Sequence, residues 1–227
     1  MLVYEYLPYH SLDAHLFQTS VTFLNWKTRY QVALGVARGL AYLHESCREY
    51  IILCDIKPQN ILLDASCTPK IADFGMAKFM QRDFSRALTT MRGTIGYLAP
   101  EWLSGVAITT KIDVYSYGMV LFEIISGSRN TSEQCSSSCD DNDVYFPLLV
   151  ANGILKGDVQ GLVDPKLCGD VNLEEVERVC KIACWCIQDK DSDRPAMGEV
   201  VQILEGLREV DVPPLPKILQ AVAGSPH

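Results

Sequence analysis

The chain has no long hydrophobic run. Its most apolar stretch, Met119 to Ile125, is broken by Glu123, and a membrane helix needs about 20 apolar residues, so no span is expected. Met1 is followed by one apolar pair and then by Glu5, which lacks the basic segment and long apolar core of a secretory signal. Positive charge is also scarce: 20 Lys and Arg against 28 Asp and Glu leave a net charge of -8. That balance argues against nucleic acid or an anionic membrane surface as a main partner. No internal repeat is present. Histidine numbers four and none lies near Cys180, Cys184 and Cys186, so a zinc centre there lacks its usual mixed ligands, and buried reduced thiols are expected instead.

What remains is ordinary globular material. With 227 residues, 48% hydrophobic and 21% charged, the chain can bury one sizeable core and divide into two subdomains. It is organised around Ile51 to Gly75. Two short apolar runs, Ile51-Ile52-Leu53 and Ile61-Leu62-Leu63, flank a polar loop from Cys54 to Asn60, and the pattern predicts buried strands joined by a working loop. Asp55, Lys57 and Asn60 stand at D-x-K-x-x-N spacing, Asp73-Phe74-Gly75 follows, and Gly93-Thr94-Ile95-Gly96-Tyr97-Leu98-Ala99-Pro100-Glu101 comes next. An Asp in a loop is most often a turn former; three motifs in this order are not explained that way.

Here the chain resembles a protein kinase. Phosphoryl transfer needs a group to take the substrate hydroxyl proton, oxygen ligands for magnesium and positive charge against the phosphate. The resemblance implies ATP and Mg2+ as cofactors, with Asp55 as base, Lys57 facing the transferred phosphate, Asn60 and Asp73 holding metal, and Thr94 bonding Asp55 and Lys57. Lys57 two positions after Asp55 is similar to the serine/threonine class. Further along, VERVCKIACWCIQDKDSDRPAMGEVVQILEG, with SGSRN and VYFP before it, resembles plant receptor-like serine/threonine kinases of the S-domain (G-type lectin) group over nearly the whole chain. That implies protein substrates carrying Ser or Thr, other receptor-like kinases as partners, and a place on the cytoplasmic side of the plasma membrane in a full-length relative.

Taken in order, the expected fold is α+β and mainly helical: the large C-terminal lobe of a kinase with a remnant of the small lobe. Residues 1–9 read as the last small-lobe strand and hinge, 10–210 as the lobe, and 211–227 as an extended Pro-rich tail. In the hinge the resemblance makes Tyr4 the gatekeeper, sets the backbones of Glu5 and Leu7 against the adenine edge, and puts Leu62 beneath it. Ser11 is predicted to cap a short helix through Phe17 and to stand near the ribose, although relatives often read Pro-Asn-Gly-Ser-Leu where this chain has Pro8-Tyr9-His10-Ser11-Leu12. Asn25 opens a long helix with Trp26, Tyr30, Ala33, Ala37, Leu40 and His44 on one stripe. Thr110 to Gly127 reads as a very apolar central helix, and further helices are expected at 144–155, 173–187 and 196–210.

Residues 73–101 are the activation segment in this reading, with Thr89 and Thr90 as candidate phosphosites. By resemblance Asp113 accepts from backbone N–H groups of the catalytic loop at 53–60, and Arg194 pairs with Glu101. Residues 128–142 read as a polar mobile linker. Two departures stand out. Leu53-Cys54 replaces the usual His-Arg, which removes both a brace for the Asp73–Gly75 turn and the cation that clamps a phosphorylated activation segment. In addition, no Gly-rich loop and no strand Lys precede the hinge, so activity is expected of a longer parent, and a truncated or pseudokinase-like binding module is the alternative.

Overall fold

Apolar residues three and four apart dictate most of the architecture, because each amphipathic helix must bury its stripe against another. The computed structural model describes residues 5–18, 23–80, 93–103, 107–130, 145–217 and 219–220. In chain order these form α1 (Leu12–Phe17), α2 (Trp26–Ala41), strands β1 (Tyr50–Ile52), β2 (Ile61–Leu63), β3 (Pro69–Ile71) and β4 (Lys78–Met80), then α3 (Pro100–Leu103), α4 (Lys111–Ser126), α5 (Phe146–Lys156), α6 (Leu173–Cys186) and α7 (Met197–Leu204). Among the described residues no helix is long and apolar enough to cross a membrane.

Every residue of α4 from Ile112 to Ile125 is buried. A helix apolar on all sides needs neighbours on all sides, and α2, α5 and α6 supply them, with α6 making the broadest contact. Gly127, at φ +63°, then ends α4. Helix α2 begins where expected, with the Asn25 carboxamide oxygen accepting from Thr28 N–H at 2.9 Å. Its predicted stripe is buried from Trp26 to Leu40, and His44 continues it on a wider helical turn, Tyr42–Ser46. On α6, Cys180, Cys184 and Cys186 are buried free thiols. Burial pushes the Cys184 thiol up to about 12, which leaves it protonated and unreactive.

The strands are short and do work disproportionate to their length. β2 and β3 form one antiparallel hairpin, while β1 pairs antiparallel with β4 in the register Ile51↔Phe79. The chain leaves β1 into the catalytic loop and enters β4 from the Asp73 turn, so this pairing brings the two polar loops to one edge.

Several expectations need correction. Ser11 occupies the N-cap position of α1 but makes no capping bond; its hydroxyl donates instead to Asp13 Oδ1 at 2.5 Å. Helix α7 stops at Leu204 and does not reach Val210, because Gly206 turns left-handed at φ +73° and Leu207 N–H reaches back to the Gln202 carbonyl at 2.9 Å. The linker begins later than residue 128: Asn130 is buried, its amide donating to the Met119 carbonyl at 2.7 Å. Of the tail, 211–216 has no regular secondary structure and is docked, accepting from Trp185 Nε1 at Asp211 (3.0 Å) and from Gln188 Nε2 at Pro214 (2.9 Å). Tyr4, Thr89, Thr90 and linker residues 131–142 lie outside the described residues.

Candidate active site

The catalytic loop hangs from α4. Asp113, 1% exposed, accepts from Leu53 N–H and Cys54 N–H, both at 2.8 Å, and from His44 Nε2 at 3.0 Å. A carboxylate taken out of water is costly unless its oxygens are bonded, and these three donors satisfy it. The bonds also hold Cys54 at φ +70°, a left-handed conformation that non-glycine residues avoid and that persists only where surrounding structure enforces it. Burial first, then the nearby Asp113, pushes the Cys54 thiol up to about 12. Cys54 is therefore a neutral filler where a kinase usually carries Arg.

The next residue, Asp55, is 8% exposed. Its Oδ1 accepts from the Thr94 hydroxyl at 2.8 Å, and Oδ2 lies 2.6 Å from Lys57 Nζ and 3.1 Å from Asn60 Nδ2. Lys57 Nζ also donates to Thr94 Oγ1 at 2.8 Å, and Asn60 Nδ2 to the Asp55 carbonyl at 2.9 Å. Four residues separated by up to 39 positions thus close one network. It fixes the direction of the Asp55 carboxylate and sets one cation beside it.

Asp73 is exposed and, like Cys54, left-handed, at φ +62°; its Oδ1 accepts from Gly75 N–H at 3.1 Å. Ala72 N–H donates to the Asn60 carbonyl at 2.8 Å, which holds the start of the Asp73 turn against the catalytic loop. Asn60 spends its amide nitrogen on Asp55, leaving the carboxamide oxygen. That oxygen and the Asp73 carboxylate are hard donors of the kind magnesium takes. Among the described residues no group of three or more His, Cys, Asp or Glu could hold a metal alone, so an ion here would draw its other ligands from substrate phosphates and water.

At the hinge, Glu5 is exposed and its carboxylate meets Lys70 Nζ at 2.8 Å, so its side chain turns to the β3 surface. The Leu7 carbonyl accepts from His10 N–H at 3.3 Å, closing the Pro8–Tyr9 turn. Ser11 bridges to Leu62, which is half-buried. Since the Ser11 hydroxyl donates to Asp13, its oxygen is left only as an acceptor for the expected ribose contact.

Behind the site, Arg194 grips Glu101 with both ends of its guanidinium, Nη1 to Oε1 at 2.6 Å and Nη2 to Oε2 at 2.8 Å. Its Nε donates to the Gln188 carbonyl and Nη1 to the Lys111 carbonyl, at 2.8 and 2.9 Å, while the Lys111 ammonium reaches the Arg194 carbonyl. The pair ties α3 to the helices behind it. Two tethers were not legible in the sequence as such. His44 read as core, although a polar residue on an apolar stripe was the signal, and buried Arg29, bonded to Asp164 at 2.6 Å, sat unremarked within α2.

The protein kinase domain family matches residues 1–204. A G-type lectin S-receptor-like serine/threonine-protein kinase of Arabidopsis thaliana is 60% identical over 230 residues, covering 99% of this chain and 27% of the relative. A second, SD2-2 of the same plant, is 53% identical over 226 residues, covering 98% and 28%. LECRK3 of Oryza sativa subsp. indica is 43% identical over 220 residues, covering 95% and 26%. The chain thus spans about a quarter of the length of these relatives. With its site geometry, its mainly helical fold and a match over nine-tenths of its residues, the chain belongs to the protein kinase domain family.

Proposed function

We propose that this chain supplies the catalytic loop and large lobe of a receptor-like serine/threonine kinase, which moves the γ-phosphoryl group of ATP to Ser or Thr hydroxyls of proteins. The network joining Asp55, Lys57, Asn60 and Thr94 carries the reading. The substrate hydroxyl lies against Asp55, which takes its proton as the oxygen attacks the γ-phosphorus and the bond to the β–γ bridging oxygen breaks, releasing ADP. Thr94, donating to Oδ1, orients the carboxylate. Lys57, 2.6 Å from it, offers positive charge to the phosphoryl oxygens. Asn60 and Asp73 are the magnesium ligands, and bound magnesium supplies charge neutralisation at the phosphates. Glu5 and Leu7 meet adenine through their backbones, over Leu62 and beside Ser11.

In this reading residues 1–9 are the last small-lobe strand and hinge, 10–210 the lobe and 211–227 the tail; Thr89 and Thr90 are phosphosites. The printed names of the relatives carry the words receptor-like and serine/threonine, and by that likeness the whole protein is a plasma-membrane receptor with this domain on the cytoplasmic side. The test is transfer from labelled ATP with Mg2+, with phosphoamino-acid analysis, by the chain alone and by the chain fused behind the segment that precedes the matched region in the 60% identical relative. Phosphoserine or phosphothreonine that vanishes with Asp55→Asn supports the reading. A fused chain that folds, binds ATP and transfers nothing sinks it.

A second reading, a pseudokinase-like binding module, draws on buried Leu53 in place of the His that braces the Asp73 turn. It predicts that an intact receptor-like kinase is captured equally by wild type and by Asp55→Asn, without transfer.

A further inference from the structure

The chain beyond α7 is bonded to the helices at a spacing of three residues. The Asp211 carbonyl accepts from Trp185 Nε1 at 3.0 Å, the Pro214 carbonyl accepts from Gln188 Nε2 at 2.9 Å, and Lys217 N–H donates to Asp189 Oδ2 at 2.7 Å. The partners follow in the same order, from the last turn of α6 to the residues just past its end. Burial shows the same period: Pro213 and Pro216 are buried, while Val212 and Pro214 are exposed. Leu219, 1% exposed, ends the row after a turn in which its N–H donates to the Pro216 carbonyl at 3.0 Å. A repeat of three is the one a Pro-rich segment presents, since a polyproline helix has three residues per turn.

The surface beneath is fitted to such a segment. Proline has no N–H, so a Pro-rich stretch offers its surroundings carbonyl oxygens and apolar rings. Opposite that stretch stand two donors, the Trp185 indole and the Gln188 amide; opposite Lys217, which has an N–H to give, stands an acceptor, Asp189. Gln188 is 5% exposed and spends its other amide hydrogen on the Cys184 carbonyl at 3.0 Å, which fixes the direction of the first. A buried amide aimed in this way is left unpaired unless a carbonyl arrives. The apolar side comes from α5 and α6, where Ala151, Ile154 and Cys184 line one small cavity with Pro213, Pro214 and Leu215. An aromatic-lined groove is the usual receptor for Pro-rich segments, and Trp185 supplies the aromatic.

We infer that this groove is a recognition site for Pro-rich segments, that residues 211–217 fill it as a ligand held in cis, and that a Pro-rich segment of a partner protein displaces them. The connection back to α7 suits exchange. Gly206 is left-handed at φ +73°, Leu207 is 76% exposed, and the Arg208–Glu199 pair at 2.6 Å lies on the surface, so little packing holds the connector. A short flexible connector presents the tail at an effective concentration on the order of 1 mM. A partner therefore competes with a ligand that is always present, and only a segment of matching proline spacing succeeds. The inference stands apart from the transfer reading, since it rests on α5, α6 and the tail alone.

The test titrates a fluorescein-labelled synthetic peptide with the sequence of residues 209–220 against the 227-residue chain, followed by fluorescence anisotropy. The chain is wild type or carries Pro213→Asp with Pro216→Asp, which releases the tail. Expected is binding to the released chain at least about tenfold tighter than to wild type, whose groove is already filled. Alanine in place of the three prolines of the peptide weakens binding about tenfold, and Trp185→Phe in the released chain weakens it about fivefold by removing one donor. A second measurement needs no variant: in wild type, unlabelled peptide in millimolar excess speeds amide hydrogen exchange at Leu215 and Lys217 about tenfold and leaves α2 and α4 unchanged. A released chain that folds and binds no peptide, equal binding of the alanine peptide, or unchanged exchange at Lys217 overturns the inference. If the released chain does not fold, the exchange result in wild type decides.

Discussion

The helical body around α4 and α6 and the face that carries the catalytic loop are built by opposite means. The body is apolar, with every residue of α4 from Ile112 to Ile125 buried. The face has three-residue strands, left-handed non-glycine residues at Cys54 and Asp73, and exposed apolar side chains at Tyr6, Phe74, Phe79 and Ile95. Alone such a face would not hold its shape, since short strands and strained loops bury little. It is held by polar tethers rooted in the body: Asp113 beneath Leu53 and Cys54, Arg194 beneath Glu101, and Glu123 beneath Tyr97. The difference teaches that stability and chemistry are separated here, so lesions in the two regions should move different observables.

The sharpest way to break that comparison is at Arg194. Replacing it with Met leaves Glu101 and the Gln188 and Lys111 carbonyls without their donor, and should cost ~3–5 kcal/mol in urea unfolding. A loss below ~1 kcal/mol would mean the body does not depend on this tether. Glu123 gives the next effect, on the order of 2–3 kcal/mol. Its folded carboxyl is raised from 4.5 to about 7, so its contribution is fully present below pH 4.5 and is lost as pH rises through 7. Wild-type stability should fall over that window, and Glu123→Gln should flatten the fall; parallel curves would contradict the assignment. Thr94→Val removes one donor to Asp55 and one acceptor for Lys57, and should slow transfer about tenfold while moving unfolding by less than ~1 kcal/mol. Smallest of all, Lys70→Ala on the exposed pair with Glu5 should leave the unfolding midpoint where it is.

Legibility in the sequence followed the same division. Helices α2, α4 and α6 were readable because apolar periodicity is local and long segments repeat it many times. The meeting of Asp55 with Lys57 and Asn60 was readable because the three stand at short spacing in one loop. Arg29 with Asp164, 135 positions apart, and Tyr97 with Glu123, 26 apart, were not, since no local pattern announces a partner across the fold. Glu123 showed in the sequence only as the residue that interrupts an apolar run. Ser11 looked like a cap from its type and place, but Asp13 two residues on competes for its hydroxyl. The early end of α7 was decided by Gly206, a stop signal outweighed by the apolar pattern continuing to Val210.

The most direct measurement is a paired one on Asp55→Asn in the fused, transfer-competent chain: phosphate transfer and urea unfolding on the same preparation. Asn keeps the shape of Asp55 and an acceptor for Thr94 while removing the base. The account predicts transfer reduced at least ~100-fold with unfolding free energy lowered by no more than ~1 kcal/mol, the cost of an amide nitrogen where Oδ2 met Lys57 and Asn60. Retained transfer would contradict Asp55 as the base, and lost transfer accompanied by a collapsed midpoint would contradict the separation of chemistry from stability.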